Sequence, residues 1–160
     1  MIERDQIEIR PVTLDDLPAL QANCFLQSTL AEVENYLLWC LQQIKKGRMV
    51  RLVATVNGEA VANAQLFISG RKAEIGSLVV NERFRKRGIA RQLIETLTEI
   101  ARQCGVRTLE IGARKSDQAV SAFYQRMGFV PFKETVAPYL PGDNKLVIYM
   151  RKELRAEEGQ

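Results

Sequence analysis

The sequence contains no histidine. Histidine is the most frequent general base and metal ligand in proteins, so its absence excludes Ser-His and Cys-His nucleophile pairs and argues against a metal centre. Acid–base chemistry must therefore fall to Glu, Asp, Tyr, Lys or ordered water. The chain also lacks an apolar run approaching the roughly 20 residues that span a bilayer, and its charged first residues do not resemble a leader peptide. We expect a cytoplasmic protein without a membrane anchor.

Cysteine and tryptophan are both scarce. Cys24, Cys40 and Cys104 are odd in number, widely spaced and set among apolar residues. This pattern suits neither a disulfide framework nor a metal site, and it predicts buried free thiols. The single tryptophan, Trp39, is predicted to lie in the core.

Length and composition are typical of one globular domain. The chain has 160 residues, of which 46% are hydrophobic and 26% are charged. It contains no internal repeat, no low-complexity tract and no interdomain linker. We therefore predict an N-terminal domain over residues 1–152 and a polar C-terminal tail over residues 153–160.

The periodicity of apolar residues predicts an α/β fold. Alternating or β-rich runs predict strands at residues 7–10, 49–56, 59–69, 73–80, 108–112, 129–136 and 145–151. Apolar stripes at helical spacing predict helices near residues 14–22, 30–44, 89–104 and 120–127. Asn57-Gly58 between two strands is the strongest hairpin signal. The sheet should be mixed and mostly antiparallel, with about seven strands and about four helices on both faces.

The most informative segment joins the strand that ends at Val80 to the helix that begins near Ile89. The net charge of the chain is only +4, yet five basic residues lie between Arg83 and Arg91. The first N–H groups of a helix lack partners and lie at the positive end of its dipole, and Gly88 lets the backbone approach a ligand closely. The segment therefore predicts a phosphate site at Arg85, Lys86, Arg87 and Gly88.

Two familiar phosphate-binding patterns do not fit this turn. A Walker A loop needs G-x-x-x-x-G-K-[ST], of which the chain offers only Lys86. A dinucleotide fold needs G-x-G-x-x-G after its first strand, whereas this turn has one glycine and follows the fourth predicted strand. ATP or GTP hydrolysis and dinucleotide binding are therefore disfavoured.

Two motifs in the same chain resemble the GNAT superfamily of acyl-CoA-dependent N-acetyltransferases. The first is Arg85-x-x-Gly88-x-Ala90 after Leu78-Val79-Val80, and the second is Ala122-Phe123-Tyr124-Gln125-Arg126-Met127-Gly128-Phe129. The resemblance covers nearly the whole chain, from Ile7 to Met150. It implies an acetyltransferase that moves the acetyl group of acetyl-CoA to a primary amine of a small molecule or peptide, by direct attack in a ternary complex and without a metal.

The resemblance also implies how acetyl-CoA is held. The backbone from Arg85 to Ala90 would cradle the pyrophosphate, and strands four and five would splay apart to hold the thioester. Ala90 replaces the last glycine of the family's turn, and Asp117 stands where many members have an Asn that meets the coenzyme. The positions implied in binding are Leu78, Val79, Val80, Arg85, Lys86, Arg87, Gly88, Ile89, Ala90, Arg91 and Asp117.

Two side chains occupy catalytic positions by the same resemblance. Tyr124 aligns with a tyrosine that protonates the leaving thiolate as general acid; otherwise it is a core aromatic on the stripe of the last helix. Glu74 aligns with a glutamate that certain histone acetyltransferases use as general base; otherwise it is a solvated or structurally paired strand carboxylate. A base matters because an amine with a pKa near 10.4 is less than about 0.1% neutral at pH 7.

Two other functions remain open. A noncatalytic acyl-CoA-binding regulator would share the fold, although Tyr124 and Glu74 argue against it. A nucleic-acid-binding module would use the basic block from Arg83 to Arg91, but that block has one aromatic residue, Phe84, and no recognisable nucleic-acid-binding motif. Family habit and the final strands favour a homodimer.

Overall fold

Seven strands form one sheet in the computed structural model, which describes residues 6–155. The strands are β1 (Ile7–Pro11), β2 (Met49–Val56), β3 (Glu59–Ser69), β4 (Lys72–Val80), β5 (Thr108–Arg114), β6 (Val130–Val136) and β7 (Leu146–Glu153). The α-helices in this range are α1 (Leu17–Asn23), α2 (Leu30–Lys45), α3 (Ile89–Gln103) and α4 (Gln118–Arg126). Short 3-10 turns occupy Leu14–Asp16 and Glu82–Phe84. The predicted order of elements is confirmed.

The sheet is mixed, as predicted, and its strand order is β1-β2-β3-β4-β5-β7-β6. Its parallel pair is β4 with β5, and the other neighbouring strands run antiparallel. Asn57 (φ 51°) and Gly58 (φ 89°) form the turn between β2 and β3, in the left-handed conformation that a tight hairpin requires. The predicted hairpin is therefore present.

The core lies on both faces of the sheet because alternate residues of the central strands point in opposite directions. Leu52 and Ala54 of β2 pack in the larger cluster, which contains the apolar side of α3 and Tyr124 of α4. Val53, between them, packs in a second cluster with Leu20 of α1 and Leu37 of α2. The prediction of helices on both faces is confirmed.

The end of the sheet extends beyond the predicted domain boundary. β7 ends at Glu153, Leu154 is buried, and the N–H of Leu154 donates to the carbonyl of Arg107 at 2.7 Å. The first two residues of the predicted tail therefore pack with the domain, whereas its residues 156–160 lie outside the described range. No helix within residues 6–155 is long and apolar enough to cross a bilayer.

Two expectations about burial are wrong. Cys40 is buried, but Cys24 is half-buried and Cys104 is exposed just after the end of α3. Trp39 is 44% exposed, because it stacks on Tyr36 at the surface of α2 instead of entering the core.

Candidate functional site

A cleft opens where β4 and β5 separate. The two strands pair from Lys72 and Thr108 to Ile75 and Ile111, and the described ladder ends there. Just beyond that point β4 contains a bulge at Ser77, whose φ is 51°. Backbone groups on this side of β4 consequently lack a partner on β5, and the predicted splay of strands four and five is confirmed.

The basic turn that follows β4 exposes unpartnered backbone N–H groups. Asn81 shapes its start, since Oδ1 accepts the N–H of Arg83 at 3.1 Å and Nδ2 donates to the carbonyl of Asn23 at 3.0 Å. Gly88, with φ 79°, is the N-cap of α3, and the N–H of Gln92 donates to its carbonyl at 3.0 Å. Residues 89–91 precede this bond and have no intrahelical acceptor, so their N–H groups are available to an anion.

The charged side chains of the turn have different surroundings. Arg85 Nε donates to the carbonyl of Val80 at 3.2 Å, which holds this guanidinium beside the end of β4. Arg83 and Arg87 lie over the ring of Phe84, at 5.6 and 5.1 Å from its centroid. Arg91 Nε pairs with Glu95 at 2.9 Å, which partly offsets its charge. The positive charge nearest the strand end is therefore that of Arg85.

Two adjacent pockets form a continuous trough from the turn to α4. The pocket at the turn has a volume of about 270 Å³ and the pocket at α4 about 390 Å³. They share Val80, Arg85, Ala90 and Phe123. The predicted residues that line the trough are Leu78, Val79, Val80, Arg85, Lys86, Gly88, Ile89, Ala90, Arg91, Asp117 and Tyr124. Arg87 belongs to the turn but does not line the trough.

Tyr124 lies at the α4 end of the trough. It is 6% exposed and packs against the rings of Phe123 and Phe129, at centroid distances of 5.8 and 6.3 Å. Burial, with a smaller contribution from the Asp117 carboxylate, raises the pKa of Tyr124 to about 12. The phenol is therefore protonated at neutral pH. The carboxylate of Asp117 accepts the N–H of Val120 at 3.1 Å and caps α4.

Glu74 lines a different pocket from Tyr124. That pocket, of about 270 Å³, is bounded by Ser77 and Gly112 of the splayed strands and by Tyr139 and Tyr149. The Glu74 side chain is exposed on β4, but partial desolvation and the neighbouring Glu110 raise its pKa, and Lys133 partly opposes them. The two pockets contain consecutive residues of the bulge, Ser77 in one and Leu78 in the other. The structure therefore places Glu74 and Tyr124 in separate pockets that meet at β4.

Several features of the site were not anticipated from the sequence. Ser77 gives no local signal of a bulge, because a serine with positive φ is uncommon. Tyr139 and Tyr149 reach the Glu74 pocket from a loop and a strand that are distant in sequence. Arg51, in a strand-forming run, is only 1% exposed. Its burial has no signature in the sequence, because arginine is rarely buried.

Comparisons with known proteins agree with this geometry. Residues 14–129 match the model of the acetyltransferase (GNAT) family. No curated protein sequence matches the chain significantly. A ribosomal-protein-alanine N-acetyltransferase from Brucella melitensis is 28% identical, with a TM-score of 0.78, over 92% of this chain and 99% of that one.

Two more solved structures share the fold. An acetyltransferase from Salmonella typhimurium, described as modifying the N-terminal serine of ribosomal protein L7/L12, is 22% identical with a TM-score of 0.82, over 93% of this chain and 95% of that one. The PaiA N-acetyltransferase from Thermoplasma acidophilum, solved with coenzyme A, is 17% identical with a TM-score of 0.72, over 93% and 99%.

Proposed function

This chain belongs to the acetyltransferase (GNAT) family, and we propose that it transfers the acetyl group of acetyl-CoA to a primary amine of a small molecule or a peptide, by direct attack in a ternary complex. The observation that carries the proposal is the trough, which joins an anion-binding turn at one end to a protonated, buried tyrosine at the other. Acetyl-CoA has phosphate groups at one end and a thioester at the other, so its binding site needs an anion-binding segment at one end and a proton donor at the other.

The donor half of the trough fits acetyl-CoA. The pyrophosphate would accept hydrogen bonds from the backbone between Arg85 and Ala90, where the start of α3 supplies N–H groups without intrahelical acceptors. Lys86, Arg87 and Arg91 would add positive charge, and Asp117 would lie at the far rim. Leu78, Val79 and Val80 would contact the pantetheine arm. The coenzyme A complex of the Thermoplasma enzyme supports this assignment by analogy.

Tyr124 is the proposed general acid. The amine nitrogen attacks the thioester carbonyl carbon, the carbon–sulfur bond breaks, and the departing sulfur takes the phenolic proton of Tyr124. The proton that the nitrogen loses as the amide forms returns the Tyr124 phenolate to its neutral form, directly or through water. The raised pKa of about 12 keeps that proton in place until the thiolate forms. Backbone N–H groups of β4 beyond Ile75, which have no partner on β5, would donate to the carbonyl oxygen as negative charge develops.

Glu74 is the proposed general base on the opposite side of the cleft. Its raised pKa makes it a stronger base than an ordinary carboxylate, because partial desolvation and Glu110 disfavour its charged form. It would take a proton from the incoming ammonium, directly or through water.

The acceptor remains within the class of primary amines. The Salmonella protein is described as modifying an N-terminal serine, and the Brucella protein is named a ribosomal-protein-alanine N-acetyltransferase. These names support testing peptide α-amines alongside small diamines. In either case the carboxylate of Glu74 favours an acceptor that arrives as a cation, whereas Glu110 pairs with Lys72 at 3.7 Å and does not line this pocket.

We further propose that the protein acts in the cytoplasm as a homodimer, and that the N-acetyltransferase domain predicted over residues 1–152 extends to Leu154. The edge strand β6 exposes Val130 (62%) and Val136 (60%), which supports pairing with a second copy. The absence of a bilayer-spanning helix within residues 6–155 is compatible with that location. Light scattering on the purified chain would test the dimer.

The test of the donor site is calorimetric titration with acetyl-CoA, followed by an assay of CoA release with a panel of primary amines. The decisive variant is Gly88→Glu, which puts a carboxylate at the mouth of the proposed pyrophosphate site. Gly58→Glu is the matched control. Both glycines have positive φ (79° and 89°) and no atom within 4 Å of an added Cβ, so the two substitutions impose similar backbone strain and the same charge.

We expect one-site binding of acetyl-CoA by the wild type and by Gly58→Glu, and its loss in Gly88→Glu. Folding of each variant would be checked by circular dichroism. Absence of binding by the folded wild type, or equal binding by the two variants, would refute the assignment of the turn. Binding without acetylation of any amine in the panel would refute the proposed reaction.

A further inference from the structure

Arg51 of β2 is a buried cation without an anionic partner. The residue is 1% exposed, and among the described residues no carboxylate forms an ion pair with it. Burying a charge costs several kcal/mol unless its surroundings compensate. The position of the guanidinium therefore calls for a physical reason, and its contacts supply one.

The guanidinium joins side chains on both sides of the β4 bulge. Nη1 donates to Gln65 Oε1 at 2.6 Å, and Nη2 donates to Asn63 Oδ1. In the register of β3 and β4, Asn63 is opposite Val79 and Gln65 is opposite Gly76. Two residue steps on β3 therefore face three on β4. The extra residue of the bulge is on β4, opposite the part of β3 that lies between Asn63 and Gln65, the two partners of Arg51.

The same guanidinium also contacts the helical side of the molecule. Nη1 donates to Tyr36 Oη at 3.2 Å, and the guanidinium carbon lies 5.0 Å from the centroid of the Tyr36 ring. It is 5.9 Å from the ring of Phe25, in the connection between α1 and α2. Tyr36 Oη in turn donates to Gln65 Oε1 at 3.1 Å. The network thus joins α2 and the α1–α2 connection to the strand that faces the bulge.

We propose that Arg51 is a positioning residue that fixes the β4 bulge, and with it the backbone groups that receive the thioester. The positive φ of Ser77 is uncommon for a non-glycine residue, so the bulge needs support from its surroundings. A planar, two-armed guanidinium holds Asn63 and Gln65 at a fixed separation, which an ammonium does not. This inference rests on the proposed acetyl transfer for its kinetic consequence, but not for its structural one.

The test compares Arg51→Met, Arg51→Lys and a control, Val53→Ala. Val53 is two residues along β2, fully buried on the same face, and packed with Leu20 and Leu37. Val53 is opposite Asn63 in the register of β2 and β3, so its truncation lowers stability beside the network while leaving both hydrogen bonds of the guanidinium in place. The first readout is amide hydrogen exchange of residues 76–80 in the protein without ligand, which needs no turnover. The second is the separation of kcat from the Kd for acetyl-CoA.

In Arg51→Met we expect faster exchange at residues 76–80, and a kcat lowered by about 10²-fold, as for a reacting group displaced by roughly 1 Å. The Kd for acetyl-CoA should rise by a much smaller factor than kcat falls, because Leu78, Val79 and Val80 lie on the loosened segment but the turn from Arg85 to Ala90 is not part of the network. Arg51→Lys should resemble Arg51→Met, and Val53→Ala should keep both the exchange pattern and kcat.

Three results would overturn the inference: unchanged exchange at residues 76–80 in Arg51→Met, full kcat in Arg51→Lys, or an equal loss of kcat in Val53→Ala at similar stability. If Arg51→Met does not fold, Gln65→Met removes one arm of the bridge at a partly exposed site and must give the same local increase in exchange. An inactive wild type would refute the proposed function alone, since the exchange measurement still decides the role of Arg51.

Discussion

Replacement of Tyr124 with phenylalanine should slow acetyl transfer and leave acetyl-CoA binding intact. Tyr124 is 6% exposed and packs against Phe123 and Phe129, so the substitution keeps the buried ring and removes only the hydroxyl. A general acid contributes about 10² to 10⁴ in rate, which corresponds to about 3–5 kcal/mol of transition-state stabilisation. We expect kcat to fall by that factor in an assay of CoA release, with the Kd from calorimetry close to that of the wild type.

The pH dependence of this loss follows from the direction of the pKa shift. Burial, followed by the nearby Asp117, raises the pKa of Tyr124 to about 12. Because the Tyr124 phenol loses its proton only near that pH, it stays protonated between about pH 6 and 9. Its ionisation therefore causes no fall in rate on the basic side of the pH–rate profile in this range. The ratio of wild-type to Tyr124→Phe activity should therefore be constant across this range.

A second acyl donor separates an acid from a merely structural hydroxyl. An activated acetyl ester with a weakly basic leaving group needs little protonation, so Tyr124→Phe should lose much less activity with it than with acetyl-CoA. Tyr139→Phe is the control, because Tyr139 is 78% exposed and lines the other pocket. Equal losses with both donors, or an unchanged kcat with acetyl-CoA, would refute the role assigned to Tyr124.

Two other predictions concern carboxylates. Glu74→Gln should lower kcat/KM for the amine. It should also remove the fall in rate on the acidic side of the pH–rate profile, which lies above the usual carboxyl range because partial desolvation and Glu110 raise the pKa of Glu74. An unchanged pH–rate profile would contradict this prediction. Asp16→Asn should lower the free energy of unfolding by about 1–3 kcal/mol at pH 7, since it weakens the bonds from Arg10 (2.6 and 2.8 Å) and the Thr13 N–H (2.8 Å). Burial raises the pKa of Asp16, but these hydrogen bonds outweigh burial, so the pKa is lowered overall. In denaturant titrations, the difference in unfolding free energy between wild type and Asp16→Asn should therefore shrink as the pH falls below about 4. A difference that stays constant with pH would contradict the assignment.

The parts of the fold that depend on local chemistry were predictable. Asn57-Gly58 accepts positive φ at both positions, so the hairpin follows from two adjacent residues. The apolar stripe beginning at Ile89 and the glycine before it likewise define the start of α3. The basic turn before α3 could be located from the sequence because it is one continuous segment.

Features that depend on distant contacts were not predictable. The insertion of β7 between β5 and β6 depends on pairing over many residues. The bulge at Ser77 lies where the register of β3 and β4 shifts, and the burial of Arg51 depends on acceptors from β3 and an aromatic ring from α2. Such features appear only when separate segments meet.

The bulge also explains how one strand serves two substrates. The side chains of Leu78 and Val80 pack on the α3 side of the sheet, where the trough lies. Glu74 belongs to the other pocket, with Tyr139 and Tyr149. A regular strand would pair with β5 along its length and close the passage between these pockets, whereas the extra residue at Ser77 breaks the ladder at Ile75. The groups proposed to bind the donor and the acceptor thus come from different segments and meet only at the bulge, which makes the geometry of β4 the element on which both proposals depend.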